Sequence, residues 1–279
     1  MPEAATGCRV LVLGAHPDDA EIHAGGLLVR HARSGATIRA VSVTDGRSGH
    51  HEIPPSDLVT IRREEAREAG LVIGAESVTW DFPDGGLVAD LSLRAAIIRE
   101  IRSFRPDLVL THRLCDYHPD HRAVAQAVQD ASYLVTVPHI AADVPAMRRD
   151  PVVAYMVDLF TRPQSFQPHI LLDATGDVDT IVSMLACHAS QVFQWLPYHD
   201  GLLESLPDGE SERIAWLKQW YLHICAARRR HFATELADRG AANATAIEAY
   251  EISEYARPLD ASEAERLFPG GLYSIAAAQ

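Results

Sequence analysis

The sequence has no apolar run long enough to span a bilayer. Its opening "MPEAATGCRV" lacks the basic stretch and apolar core of a secretory leader. The four cysteines, Cys8, Cys115, Cys187 and Cys225, are scattered and form no CxxC pair. These absences set the expectation of a cytoplasmic protein with no disulfide framework and no membrane partner. There is no Walker A sequence, and acids fill the first strand-to-helix turn, where a dinucleotide site needs glycines. A net charge of −13 argues against nucleic acid as a partner. Internal repeats, low-complexity stretches and a clear linker are also missing. One domain over 1–279 is therefore expected, with a regular half at 1–135 carrying the site. The C-terminal half, 136–279, is expected to supply substrate-lid and interface elements.

What is present is alternation. "CRVLVLGA", "TIRAVSVT", "ESVTWDF" and "DLVLTH" are short apolar runs that read as buried strands. Between and after them lie helix patterns, "AEIHAGGLLVRHARSG", "DLVTIRREEAREAGLVIG", "LSLRAAIIREIRSFRP" and "PDHRAVAQAVQDASYLV". Asp57 is expected to cap the second helix, and Pro119 to open the fourth. The fold class expected is α/β, a doubly wound, mostly parallel, Rossmann-like sheet with helices on both faces. Further on, "VVAYMVDLF", "HILLDA" and "AIEAYEISEYA" read as strands. "DVDTIVSMLACHASQVFQWL" and "SERIAWLKQWYLHICAARRRHFATELADRG" read as long C-terminal helices, with "WLPYHDG" as the loop between them.

Charge collects at two places. His16, Asp18, Asp19 and Glu21 follow the first strand; Asp116, Tyr117, His118, Asp120 and His121 follow the fourth. In open α/β sheets, sites form beyond the carboxyl ends of strands where strand order reverses. With the order 3-2-1-4, the two clusters would face each other across that crevice. Imidazole with carboxylate suits zinc, and a catalytic zinc takes three protein ligands and keeps one position open. His16 and Asp19 can converge across the Pro17 turn, with Asp18 facing elsewhere, and His118 or His121 can complete the set. A carboxylate left over beside a metal is a hydrolase arrangement. Taken singly, each cluster also reads as a pair of helix caps.

At these residues the sequence resembles the PIG-L/LmbE family of zinc-dependent N-acetylglucosaminyl deacetylases. "AHPDDAE" (15–21) and "HPDH" (118–121) are similar to its two main signatures. "TDGRSG", "RREEAREA", "PDGGL", "HASQ" and "YEISEY" resemble weaker elements along the chain. The resemblance implies that His16, Asp19 and His121 bind Zn2+, with Fe2+ or another divalent ion as the alternative. It implies that Asp18 is the general base for a metal-bound water, and that His118 steadies the oxyanion or protonates the leaving amine. Arg62 and Asp84 would contact sugar hydroxyls. His188 would be a substrate contact or part of a buried hydrogen-bond network. There are departures. Ile181 stands where many relatives carry lysine, Asp116 where a tyrosine is frequent, and Cys115 where an asparagine is.

The function implied is removal of acetate from a small N-acetylated amino sugar or glycoconjugate, by a homo-oligomeric enzyme. Two alternatives stay open: an amidase acting on another amide, such as a thiol conjugate, and a metal-site sugar-binding protein without turnover. Trp195, Tyr198 and His199 read either as a sugar-stacking lid or as a hydrophobic plug, and His50 and His51 receive no role.

Overall fold

The computed structural model describes residues 7–274. The regular half runs β1 (Arg9–Gly14), α1 (Asp19–Arg33), β2 (Thr37–Thr44), α2 (Pro55–Ile73), β3 (Glu76–Phe82) and α3 (Leu91–Phe104). It continues with β4 (Leu108–Thr111) and α4 (Pro119–Leu134). The remainder supplies β5 (Val152–Met156), β6 (Ile170–Asp173), α5 (Val178–Cys187), α6 (Leu196–His199) and α7 (Glu210–His231). It ends with α8 (Ala233–Asp238), β7 (Ile247–Ile252), α9 (Ala261–Leu267) and β8 (Gly271–Tyr273). Both halves contribute to one sheet of order β3-β2-β1-β4-β5-β7-β6-β8.

β3 through β5 are parallel neighbours, while β7 runs antiparallel to β5 and β6. The 3-2-1-4 order thus holds, and β1 lies between β2 and β4. The period of two along β1 explains its central place. Val10 and Val12 face the layer holding Ala24, Leu27 and Leu28 of α1. Leu11 and Leu13 face the layer of Ile97 and Ile101 of α3 and Val124 and Val128 of α4. A strand apolar on both faces is stable only when both are covered.

Several local expectations differ from the structure. α2 starts at Pro55 rather than after an Asp57 cap, because proline supplies the first helical position and needs no hydrogen-bonded N–H there. The expected long helix over 177–196 breaks at His188, whose backbone leaves helical geometry. It resumes as a π turn, Gln191–Trp195, which leads directly into α6. "WLPYHDG" is therefore mostly helical, not a loop. The last predicted helix is divided at Phe232 into α7 and α8. β8, which pairs with β6, lacks a distinct strand pattern in the sequence.

Candidate metal centre

The turn after β1 and the turn after β4 meet because those strands are hydrogen-bonded neighbours. His16 and Asp120, 104 positions apart, come within 3.3 Å. The first turn is held by its own acid: the His16 N–H donates to Asp19 Oδ2 at 2.7 Å. Asp18 adopts a backbone φ of +122°, a region that costs a non-glycine residue roughly 1–3 kcal/mol. The second turn is closed by Asp116, which accepts the His118 N–H at 2.7 Å, and by Pro119 at the start of α4.

The histidines sort by their partners. His121 Nδ1 faces Asp116 Oδ2 at 2.9 Å, which leaves its Nε2 free, 3.6 Å from Asp19 Oδ1. His16 Nε2 faces Asp84 at 3.2 Å and Asp120 at 3.3 Å, which leaves Nδ1 free, 3.7 Å from Asp19. A carboxylate behind an imidazole fixes the tautomer and turns the other nitrogen into a metal donor. His118 differs. Its Nδ1 accepts the Asp120 N–H at 3.3 Å, so Nε2 is the atom that carries hydrogen. That makes His118 a hydrogen-bond donor, distinct from the ligand-type rings.

Sets of donor atoms within 4.8 Å of one another are formed by His16, His118 and His121; by Asp19, His112 and His121; and by His16, Asp84 and Asp120. The expected trio of His16, Asp19 and His121 spans the first two. Charge supports a cation here. Burial alone would favour a neutral His16, but Asp120 and Asp84 outweigh it and lift the ring to about 10. Burial opposes ionised Asp19, yet His112 and His121 hold its carboxyl well below the usual range. The donor types suit a divalent ion: the free nitrogens of His16 and His121 lie 3.7 Å and 3.6 Å from the two oxygens of Asp19, where the pocket stabilises positive charge.

Asp18 stands beside this set and outside it. Burial raises its carboxyl, against the pull of Arg62, whose Nη2 donates to Asp18 Oδ2 at 3.0 Å. Arg62 is itself buried and also donates to the carbonyls of Pro17 and Gly46. Gly46 has φ +68°, and a Cβ there would lie 2.8 Å from the Arg62 side chain, so the loop needs glycine at this point. Asp84 is similarly engaged, accepting the Ser48 N–H at 2.9 Å besides facing His16. Both residues line the cavity over the site, together with His16, Asp18 and His118.

His188 is not brought to that cavity. It is fully buried, its two ring nitrogens have no hydrogen-bond partner, and Glu21 Oε2 lies 3.5 Å from its Nε2. Of the two expectations for His188, substrate contact or a buried position, the ring's burial beside Glu21 agrees with the second. Two neighbours of the site escape the sequence reading. His112 Nε2 lies 3.0 Å from Asp19, with its ring stacked on His121 at 3.8 Å. Its place at the end of β4 is the available signal. Asp116 reads in the sequence as a member of the second cluster and as a departure from a frequent tyrosine, without a role; an acid five residues before a histidine can reach its ring at a helix start.

The sequence profile of the PIG-L family, described as GlcNAc-PI de-N-acetylase, matches residues 11–132. The chain is 33% identical over 138 residues to the Escherichia coli protein called uncharacterized deacetylase YaiS, covering 70% of it and 47% of this chain. The chain belongs to the PIG-L family. This PIG-L protein is also 27% identical over 198 residues to the 4-oxalmesaconate hydratase of Pseudomonas putida, covering 76% of that protein and 67% of this chain. It is 25% identical over 232 residues to the diacetylchitobiose deacetylase of Thermococcus kodakarensis, covering 86% of that protein and 78% of this chain. In fold it resembles the N,N'-diacetylchitobiose deacetylase of Pyrococcus horikoshii, with a TM-score of 0.68 at 19% identity over 88% of this chain and 84% of that one.

Proposed function

We propose that this PIG-L protein is a divalent-metal hydrolase that removes acetate from an N-acetylated amino sugar or its conjugate. The observation that carries the reading is the division of labour around one cavity. Asp18 stands next to the donor set without joining it, and His118 offers a hydrogen where the ligand-type histidines offer a lone pair. His16, Asp19 and His121 are the proposed ligands of the ion, with His112 close enough to Asp19 to adjust it. When bound, the ion supplies Lewis acidity to a carbonyl oxygen and acidifies water. Zinc suits these donors, and iron(II) is the main alternative.

Asp18 takes the proton of the attacking water, helped by a carboxyl that burial makes more basic. Arg62 keeps Asp18 oriented. Burial, followed by the charges of His16 and His121, pushes His118 towards the neutral form. Neutral His118 donates from Nε2 to the developing oxyanion. The proton held by Asp18 then passes to the amine nitrogen as the C–N bond breaks.

The likeness to a hydratase supports a second reading, addition of water to an unsaturated carboxylate. Against it, the cavity presents Asp18 and Asp84, and its arginine, Arg62, already pairs with Asp18. Apart from the proposed ion, the cavity lining then leaves no free arginine or lysine to pair with a second carboxylate of such a substrate. A neutral acetamide needs no such pairing. The test is metal analysis of the purified protein with an acetate-release assay on free and linked N-acetylhexosamines. Metal-dependent acetate release is expected. Turnover only of an unsaturated dicarboxylate, followed by its ultraviolet absorbance, would favour the hydratase, and turnover only of thiol conjugates the amidase. The proposal includes a cytoplasmic homo-oligomer: the free Cys8, Cys115, Cys187 and Cys225 suit a reducing compartment. Light scattering tests the assembly.

A further inference from the structure

The cavity over the metal centre, about 380 Å³, has two unlike walls. Ser48, Arg62, Asp84 and His118 give it polar groups, while Ile22, Trp195 and Leu196 form an apolar surface. A pyranose ring has the same asymmetry: a face of C–H groups and an edge of hydroxyls. Apolar stacking on an aromatic ring satisfies the first while hydrogen bonds satisfy the second.

The backbone is specialised at this wall. In the π turn the Leu196 N–H donates to the Gln191 carbonyl, five residues back. This wider winding brings Gln191 and Leu196 to the same side, and Gln191, Trp195 and Leu196 all line the cavity. A regular α-helical turn, at about 100° per residue, would point Gln191 and Leu196 some 140° apart. π turns are rare and concentrate at functional sites.

The indole is also buttressed. Trp195 lies beside His51, with centroids 6.5 Å apart and planes at 26°, and beside Tyr198, at 6.0 Å and 28°. His51 and Tyr198 stack almost parallel at 3.8 Å, and His50 stacks on His51 at 4.8 Å. His50 Nε2 meets Gln194 Oε1 at 2.9 Å, tying the loop after β2 to the π turn. Tyr198 remains 49% exposed, so this ladder is a rim structure and not part of the core. Its geometric effect is to fix the plane of the one indole that faces the cavity.

We propose that Trp195 is a stacking platform for the pyranose ring of the substrate, and that the His50, His51 and Tyr198 ladder positions it. The inference rests on the deacetylase reading and deepens it, because it makes the sugar ring, and not the acetamide alone, the recognised element. Steady-state kinetics of the metal-loaded enzyme test it with two substrates: an N-acetylglucosamine methyl glycoside and an acyclic N-acetylated amino alcohol. Trp195→Ala is expected to raise KM for the glycoside about tenfold with kcat little changed, Trp195→Phe to do so less, and both to leave the acyclic KM within about twofold. Tyr198→Ala, which removes the buttress and leaves the indole, is expected to give a smaller shift of the same kind. An unchanged glycoside KM in Trp195→Ala, or equal changes for both substrates, would overturn the platform. If Trp195→Ala loses its fold by circular dichroism, Trp195→Phe and Tyr198→Ala are judged by the same criteria. If the wild type releases no acetate from any glycoside, the deacetylase reading fails separately. Calorimetry with glucosamine then decides: binding that Trp195→Ala abolishes supports the platform, and absent or unaltered binding rejects it.

Discussion

Asp18 and Asp19 are adjacent in sequence and opposite in environment. Burial raises Asp18, while His112 and His121 overcome burial and hold Asp19 low. Pairs of carboxylates driven apart in this way divide proton transfer from charge binding. Asp18→Asn should therefore retain its metal by elemental analysis and lose about 10²–10⁴-fold in acetate release. If turnover survives, the proton acceptor is another group. Asp116 makes a contrasting case, since it touches the proposed ligand His121 and not the cavity. Asp116→Ala should weaken metal affinity by about 10–100-fold in a competition titration, with turnover restored at saturating metal. The residue types of the two signatures were legible in the sequence. The buried position of His188 was not, because a histidine beside Ser190 and Gln191 reads the same whether its ring faces a cavity or the back of a turn.

At the scale of elements, positions are set by how helix ends are satisfied. Beyond α4 the chain turns through 135–144, and Arg102 of α3 donates to the carbonyls of Leu134, Val135, Val137, Ile140, Ala141 and Val144. One guanidinium thus serves the open end of α4, whose last carbonyls lack helical partners. Arg102→Met keeps most of the stem and removes the donors. It should lower unfolding free energy by about 2–4 kcal/mol in urea titrations. A loss below about 0.5 kcal/mol would mean that water replaces the guanidinium. The regular β/α half was readable from apolar periodicity and punctuation, most clearly at β1 and β4, which are buried along nearly their whole length. The break at His188 and the π turn were not. The segment keeps a helix-like pattern across the break, and its local spacing does not mark where the backbone leaves α geometry.

On the scale of the whole molecule, the proposed ligands join two turns that the chain separates by nearly its whole regular half. A bound ion therefore links β1, α1, β4 and α4 in the folded state and has no equivalent in the unfolded chain. At an ion concentration about a hundred times Kd, binding should add about 2.7 kcal/mol of stability. For a chain of this size that corresponds to a rise in Tm of several degrees, about 2–4 °C per kcal/mol, over the protein treated with chelator. Equal melting temperatures with and without zinc would exclude a folded-state ion at this centre.

The sequence by itself determined the parallel α/β half, the two acidic and imidazole-rich turns, and the family. It could do so because strand and helix periods, prolines at helix starts and short signatures are local properties of the chain. The tertiary structure alone decided which nitrogen of each histidine is free, that Asp18 is clamped by Arg62, that His112 and Asp116 belong to the centre, and that Trp195 faces the cavity. Those outcomes depend on which strands become neighbours and on what lies behind each ring, and no spacing along the chain encodes either.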